Sequence, residues 1–382
     1  MLQLGIAAVV LGLVHFLFHR RLVRAPGVRG RWATAADVLL AVGWLSAVIA
    51  VGVGVVFPAT WTRVIGFVGM TWLALVFYLL LGLAVIGIVP AVLRVVGRLR
   101  GSPTQAGRQR FLRVATGGMV IVAMATTLYG VGEAASGGVT RETLSMERLP
   151  AEFDGMRVAV VSDLHLGAAR GEALTRKVVD LVNAEEPDLI AVVGDLSDGT
   201  IDYVGPDLRP LADLRAPLGV FGVTGNHEEI SDDVEGWLDL WRSLGITTIN
   251  NASVEIQRGA ATIDVAGVYD LSSSAPYEPD LDAALAGRPD DQFTLLLAHQ
   301  PNHVREAAEH DVDLQVSGHT HGGQMWPLRY AAALAADPAV TGVDTVDGTT
   351  VFTTYGAGAW GPPVRVGAPP EVAILELRSP EA

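Results

Sequence analysis

Cysteine is absent from the 382-residue chain. That excludes disulfides, a Cys-ligated zinc and a thiol nucleophile together, and it leaves the compartment open, because a cysteine-free chain is at home in any. Lysine is nearly absent as well, Lys177 being the only one. Acidic residues are almost missing from the first third: residues 1–135 hold 12 Arg against only Asp37 and Glu133, a net charge of +10. Residues 136–382 reverse this, with 15 basic and 39 acidic residues and a net charge of −24, so the formal −14 of the whole chain conceals two differently built parts. The acidic total argues against a nucleic-acid partner. Charged residues of all kinds make up only 18%, the hydrophobic class makes up half, and the mean hydropathy is positive. That composition excludes a disordered chain and is too apolar for an ordinary soluble protein.

Four long apolar runs stand before residue 135, at about 2–18, 38–57, 64–89 and 114–131. Each is near or above the roughly 18–20 residues that cross the bilayer's hydrocarbon as a helix. Pro90 marks the expected end of the third. The first run has no basic residue ahead of it and is followed by Arg20, Arg21 and Arg24, so it reads as a retained helix and not as a secretory signal. The segment after the first run carries Arg20, Arg21, Arg24, Arg29 and Arg31. The segment after the third carries Arg94, Arg98, Arg100, Arg108, Arg110 and Arg113, whereas residues 58–63 contain only Arg63. Arg-rich loops stay cytoplasmic, so everything after residue 132 is expected on the extracytoplasmic side of the cell membrane. Ionisable residues are lacking in the central part of every span, and His15 sits near an end. A transport pathway would carry such groups, so the expected role of the bundle is anchoring. Residues 133–150 read as a tether.

From about residue 156 the pattern turns to short β-rich runs at 157–162, 189–194, 220–224, 262–268, 294–298, 314–317, 350–354 and 372–377. Helical stretches fall at 172–184, 232–244, 281–285 and 302–309. This alternation predicts an α/β fold. Five of the strands end in Asp, Asn or His: Asp163-Leu164-His165, Gly194-Asp195 with Asp198 after it, Gly225-Asn226-His227-Glu228, His299, and Gly318-His319-Thr320-His321. Strand C-termini are where α/β folds gather their sites. Asp163, His165, Asp195, Asn226, His299, His319 and His321 make seven oxygen and imidazole donors without sulfur. Such a set suits Mn, Fe or Zn, exceeds what one ion needs, and matches the two-ion clamp used for in-line phosphoryl displacement. Gly194, Gly225 and Gly318 each precede a ligand, where the chain must turn off its strand in a conformation or at an approach that only glycine tolerates. His303 and His310 are read as ordinary helix-face residues.

These blocks, in this order, resemble the calcineurin-like metallophosphoesterases. They resemble most the membrane-associated bacterial members that carry Gly-His-Thr-His-Gly-Gly-Gln, here residues 318–324, with a later Tyr355-Gly356-Ala357-Gly358 and Pro363/Arg365. The resemblance implies a four-layer sandwich of two mixed sheets between helices. It implies that Asp163, His165 and His321 bind one metal and Asn226, His299 and His319 the other, with Asp195 between them. A metal-bridging hydroxide would then attack the phosphorus in line. His227 would bind no metal; it would donate to a phosphate oxygen or to the leaving group, with Asp198 orienting its ring. The protein serine/threonine phosphatases of the family have Arg directly after the Asp198 position, where this chain has Gly199, which disfavours a phosphoprotein substrate. Arg170 is a candidate phosphate contact, or else a surface arginine. Some relatives cleave lipid-linked phosphodiesters, and Trp326, Trp360 and Pro362-Pro363 are candidates for an apolar rim for a lipid, or else pack around loop ends.

The expectation is therefore a four-span transmembrane anchor over residues 1–132, a tether over 133–150, and an α/β metallophosphoesterase domain over 151–382. It would carry two divalent or trivalent ions of the Mn, Fe or Zn class and cleave a phosphomonoester or phosphodiester, a lipid-linked one among the candidates. The other readings are a non-catalytic scaffold on the same fold, and a membrane sensor or transporter with a regulatory phosphoesterase domain.

Overall fold

The structure, a computed structural model, describes residues 2–97, 105–335 and 339–380. It opens with four long helices: α1 (Leu2–Phe18), continued by a wider π-helical turn over His19–Arg24, α2 (Arg31–Gly52), α3 (Ala59–Gly97) and α4 (Gln105–Ala135). All four are long and apolar enough to cross a membrane. The third does not stop at Pro90 but runs on to Gly97. A proline removes one helical N–H, and a long apolar helix tolerates the loss where a solvated one would break. Arg98 and Arg100, two of the arginines on which the expected orientation rests, lie outside the described residues.

Inside the bundle the helices meet through small residues and a few polar joints. Ala47, Ala50 and Ala74 are fully buried, as expected where helix backbones approach in lipid. Trp72 Nε1 donates to His15 Nε2 at 2.9 Å, and His15 Nδ1 lies 2.7 Å from the carbonyl of Leu11. His15 is thus a satisfied joint between helices and not a step on an ion path.

The rest of the chain folds around two six-stranded sheets. Its elements are β1 (Gly138–Ser145), β2 (Met156–Val161), α5 (Glu172–Ala184), β3 (Leu189–Val192), α6 (Ile201–Val204), β4 (Val220–Gly222), α7 (Asn226–Ser231), α8 (Val234–Ser243), β5 (Thr247–Thr248), β6 (Ala252–Arg258), β7 (Ala261–Gly267), α9 (Leu281–Ala284), β8 (Thr294–Leu297), α10 (Val304–Glu309), β9 (Leu314–Ser317), α11 (Arg329–Ala335), β10 (Gly342–Val346), β11 (Thr349–Thr353) and β12 (Glu371–Arg378). One sheet runs β1-β12-β2-β3-β4-β5 and the other β10-β11-β9-β8-β7-β6. Both are mixed: β2 to β5 are parallel with β12 antiparallel to β2, and β7, β8, β9 and β11 are parallel with an antiparallel strand at each edge.

Strand alternation sorts the side chains into layers. Val158 and Val160 of β2 face the second sheet and join Leu295, Leu297, Leu314 and Val316 in the central core. Ala159 and Val161 face the other way, against Val178 and Val182 of α5 and Trp237 and Trp241 of α8. On the far side, Leu296 and Ala298 pack on α9 and α10. The result is the expected helix–sheet–sheet–helix sandwich.

The stretch read as a tether is structured. Helix α4 continues to Ala135, and residues 138–145 form β1, which pairs in parallel with β12 along its whole length. Its side chains are mostly exposed, as befits an edge strand, so it lacks the apolar alternation by which strands are recognised. The fourth span therefore enters the first sheet after only two residues.

Candidate metal centre

The centre forms where β2, β3, β8 and β9 end side by side, together with the start of α7 after β4. Asp163 and His165 follow β2, Asp195 follows β3, Asn226 opens α7, His299 follows β8, and His319 and His321 follow β9. The ligand atoms of Asp163, His165 and His321 lie within 4.8 Å of one another, as do those of Asp195, His299 and His319. Asp195 stands between the two groups: its Oδ2 is 3.1 Å from Nε2 of His299 and 3.7 Å from Nε2 of His165. Asn226 Oδ1 lies 3.1 Å from Nδ1 of His319 and completes the second group. All seven predicted donors thus converge on one buried spot. Its chemistry fits cations: the carboxylates and imidazoles are stripped of water and face one another, an arrangement that a pair of metal ions would neutralise.

The backbone carries strain at the centre. Gly194 has a positive φ of 85°, as expected, but Gly225 and Gly318 do not. Those two are glycines because of close approach: an added Cβ would lie 2.3 Å from Oδ1 of Asp195 at Gly225 and 2.1 Å from Oγ of Ser162 at Gly318. The left-handed turns fall instead on the donors. Asp163, His165, Asp195, His319 and His321 all have φ between 46° and 68°. Such conformations cost about 1–3 kcal/mol each and persist where surrounding structure over-determines them. Here the bonds from His165 N to Asp195 O and from Leu166 N to Leu196 O tie the two Asp-bearing loops together.

Asp198 does more than orient His227. Its Oδ1 lies 2.8 Å from Nδ1 of His227 and 2.6 Å from Nδ1 of His165, so one carboxylate aims two imidazoles. Burial opposes its charge, but the two rings outweigh it and hold the Asp198 carboxyl far below the usual range. Burial likewise opposes charge on His165, and Asp198, Asp163 and Asp195 together push its pKa up to about 10. His227 is raised too: the hydrogen bond to Asp198 and the charge of Asp195 overcome its desolvation. His227 is partly exposed and lies within reach of Asp195 and His165, its ring 4.6 Å from that of His165 and 6.3 Å from that of Trp360.

Two supporting groups were not assigned from the sequence. Glu228 is buried, and its carboxylate accepts the N–H groups of Asp195, Leu196 and Gly225 at 2.8–2.9 Å. Burial and the charge of Asp195 push its pKa up to about 7. Arg365 is fully buried, with Nη2 3.0 Å from Nδ1 of His321, and it donates to the carbonyls of Gly358, Ala368 and Tyr355 at 2.7–3.0 Å. Arg365 stood out in the sequence only as part of the resemblance and as a lone charge between Val364 and Val366, without a role. His303, expected on a helix face, is buried as well.

Arg170 lies beside the centre. Its Nη1 donates to the carbonyl of Ala359 at 3.1 Å, and desolvation outweighs the charge of Asp198 to lower its pKa to about 10. It is half-buried and so is not the plain surface arginine of the other reading. Gly199 has a packing cause: a Cβ there would stand 2.4 Å from Val204 and 2.6 Å from the Gly54 carbonyl, so the turn after α2 leaves no room for a side chain.

Residues 156–323 match the family described as calcineurin-like phosphoesterase. The chain is 33% identical over 270 residues to a transmembrane protein with metallophosphoesterase domain of Danio rerio, covering 68% of this chain and 62% of that one. It is 36% identical over 254 residues to the protein of the same description in Bos taurus, covering 63% and 57%. The chain thus spans about three fifths of these two relatives. With an uncharacterized metallophosphoesterase of Helicobacter pylori it shares 33% identity over 276 residues, 71% of each chain. Matched across most of a bacterial relative and bearing the family's motifs at its strand ends, the chain belongs to the calcineurin-like phosphoesterase family.

Proposed function

We propose that this protein is a membrane-anchored, two-metal phosphohydrolase that cleaves a phosphomonoester or phosphodiester. The observation that carries the reading is that Asp163, His165 and His321 form one close group, that Asp195, His299 and His319 form another, and that Asp195 also lies within reach of His165 and His227, whose ring Asp198 holds. Asp163, His165 and His321 would hold one ion, Asn226, His299 and His319 the other, and Asp195 both. When bound, such a pair acidifies water and neutralises charge on the transferring phosphoryl group. His227, kept protonated by Asp198, is placed to donate to the leaving oxygen. Arg170, without a carboxylate partner among the described residues, is placed to hold a phosphate oxygen.

The substrate is proposed to be lipid-linked. An apolar groove of about 310 Å³ runs between the ends of α3 and α4 and the flank of the domain. Its walls include Phe67, Val131, Leu174, Val178 and Pro363, and its charged lining is Arg170, Lys177 and Glu371, the last accepting from Thr140 and Thr354. Trp326 and Trp360 are more than half exposed nearby, and Trp326 N bonds to the carbonyl of Val366, beside α4. Apolar walls, flanking aromatics and two cations suit a phosphate-bearing amphiphile at a bilayer surface. The domain itself meets the Arg-poor end of the bundle, which supports its placement on the extracytoplasmic side.

Full-length protein in detergent, stripped and reloaded with Mn, is expected to hold two ions and to hydrolyse aryl phosphate or bis-aryl phosphate. Asp195→Asn and His227→Ala are expected to abolish this. One ion per chain overturns the paired site, and full activity of His227→Ala overturns the proton donor. A phosphoester with a long acyl chain is expected to exceed its short-chain counterpart in kcat/KM; equality overturns the lipid-linked substrate. A C-terminal reporter active only in the cytoplasm overturns the orientation.

A further inference from the structure

The bundle touches the domain at two places, and both lead to a group that holds a metal-binding imidazole. The first is the turn between α2 and α3. The carbonyl of Gly54 accepts the N–H of Thr200 at 2.8 Å, two residues after Asp198. Gly54 and Gly199 are in direct contact, with no room for a side chain at Gly199. One turn into α3, Arg63 pairs with Asp207 at 2.5 Å and donates through Nε to the carbonyl of Gly167 at 3.3 Å. Gly167 in turn abuts Asp198, since a Cβ on Gly167 would lie 3.1 Å from that of Asp198. Two separate ties from the bundle therefore converge on the carboxylate that aims His165 and His227.

The second place is the end of α4. The N–H of Arg365 donates to the carbonyl of Gly130 at 2.9 Å, and the N–H of Gly367 donates to Oε2 of Glu133 at 3.1 Å. An added Cβ at Gly130 would lie 2.5 Å from Val364 and 2.8 Å from the carbonyl of Arg365. The strap 364–367 is thus pressed on the helix end, and its one charged side chain reaches inward to His321.

We propose that the membrane-spanning bundle positions the metal centre: the α2–α3 turn and Arg63 set Asp198, and the end of α4 sets Arg365. Groups that orient a ligand from behind govern metal affinity by about 10–100-fold. Here those groups are themselves oriented by helices of the anchor. Arg63, Gly54 and Gly130 are positioning residues; none touches a metal ligand.

The inference rests on the two-ion reading, and the test separates them. Full-length protein in lipid nanodiscs is stripped with chelator and titrated with Mn, with thermal unfolding followed in parallel. Failure of the unaltered protein to take up two ions overturns the two-ion reading, and this inference with it. Given two ions, Gly130→Ala is expected to weaken binding of an ion by about tenfold and to lower kcat on a soluble aryl phosphate with KM little changed. Arg63→Ala, which removes a tie without adding bulk, is expected to act in the same direction and covers the case in which Gly130→Ala does not fold. Gly132→Ala, whose added methyl meets nothing within 4 Å, is expected to match the unaltered protein. Unchanged Mn affinity in folded Arg63→Ala, and in Gly130→Ala where it folds, overturns the inference. So does an equal loss in Gly132→Ala.

Discussion

The bundle and the phosphoesterase-family domain obey opposite rules of exposure. In the bundle, large apolar side chains point outward: Val64 is 76% exposed, and Val114, Ile121 and Leu128 are close behind. Its buried residues mix alanines such as Ala47, Ala50 and Ala74 with a few larger side chains such as Phe18 and Leu79, and polar joints such as Trp72 to His15 link its helices. In the domain, apolar side chains fill three layers of core while polar ones gather at strand ends. The difference follows from solvent. Lipid gives the bundle no hydrophobic reason to bury leucine, so its helices associate through close backbone packing; water gives the domain every reason. The two rules meet at one interface, where the bundle uses its backbone carbonyls and its few charges. Gly54, Arg63, Gly130 and Glu133 all point at the domain there.

Breaking the comparison starts with the centre. Asp195→Asn removes the carboxylate proposed to hold both ions and is expected to lower turnover by about three orders of magnitude or more, since several kcal/mol of charge stabilisation would depend on it; steady-state kinetics check this. Next comes the core. Leu295→Ala, at a fully buried site, is expected to cost the domain about 2–5 kcal/mol. Val64→Ala, lipid-facing in the bundle, is expected to leave the melting temperature unchanged, because no water is excluded by that side chain; unfolding in detergent compares the two. A cost for Val64→Ala equal to that for Leu295→Ala would erase the distinction between the regions.

Smaller effects sharpen it. Asp198→Asn is expected to lower kcat by about 10–100-fold. It also removes the hydrogen bond and charge that raise the pKa of His227 against its desolvation. His227 then loses its proton at lower pH, so the alkaline limb of kcat/KM is expected to move toward acid, as a pH–rate profile will report. Least of all, Trp72→Phe deletes a hydrogen bond within the bundle. A cost of about 0.6 kcal/mol is expected by unfolding in detergent, the average for such bonds in membrane helices.

Much of this molecule was legible. The spans declared themselves by length and hydropathy, and the seven donors by their place after buried strands. The misreadings have physical causes. Strand β1 was hidden because an exposed edge strand lacks the alternation that marks a half-buried one, and because its partner, β12, lies more than 200 residues away. Pro90 misled because a rule from water was applied to a helix in lipid. The left-handed conformations of five candidate donors, Asp163, His165, Asp195, His319 and His321, went unforeseen, while the glycines before them serve by conformation at Gly194 and by close approach at Gly225 and Gly318. A residue's φ depends on what surrounds it, and the ties between the Asp163 and Asp195 loops come from different strands.

Residue types and spacing by themselves determined which groups are available: a basic, acid-poor membrane segment and seven oxygen and imidazole donors at strand ends. Those are properties of local chemistry and periodicity, and they survive without knowledge of neighbours. Only the tertiary structure decided how the donors group around Asp195, that Asp198 serves two rings, that Gly199 is closed by the Gly54 carbonyl, and that Arg365 reaches His321 from a strap bound to α4. Each of these joins atoms far apart in the chain, and such contacts form only when the two sheets and the bundle have packed.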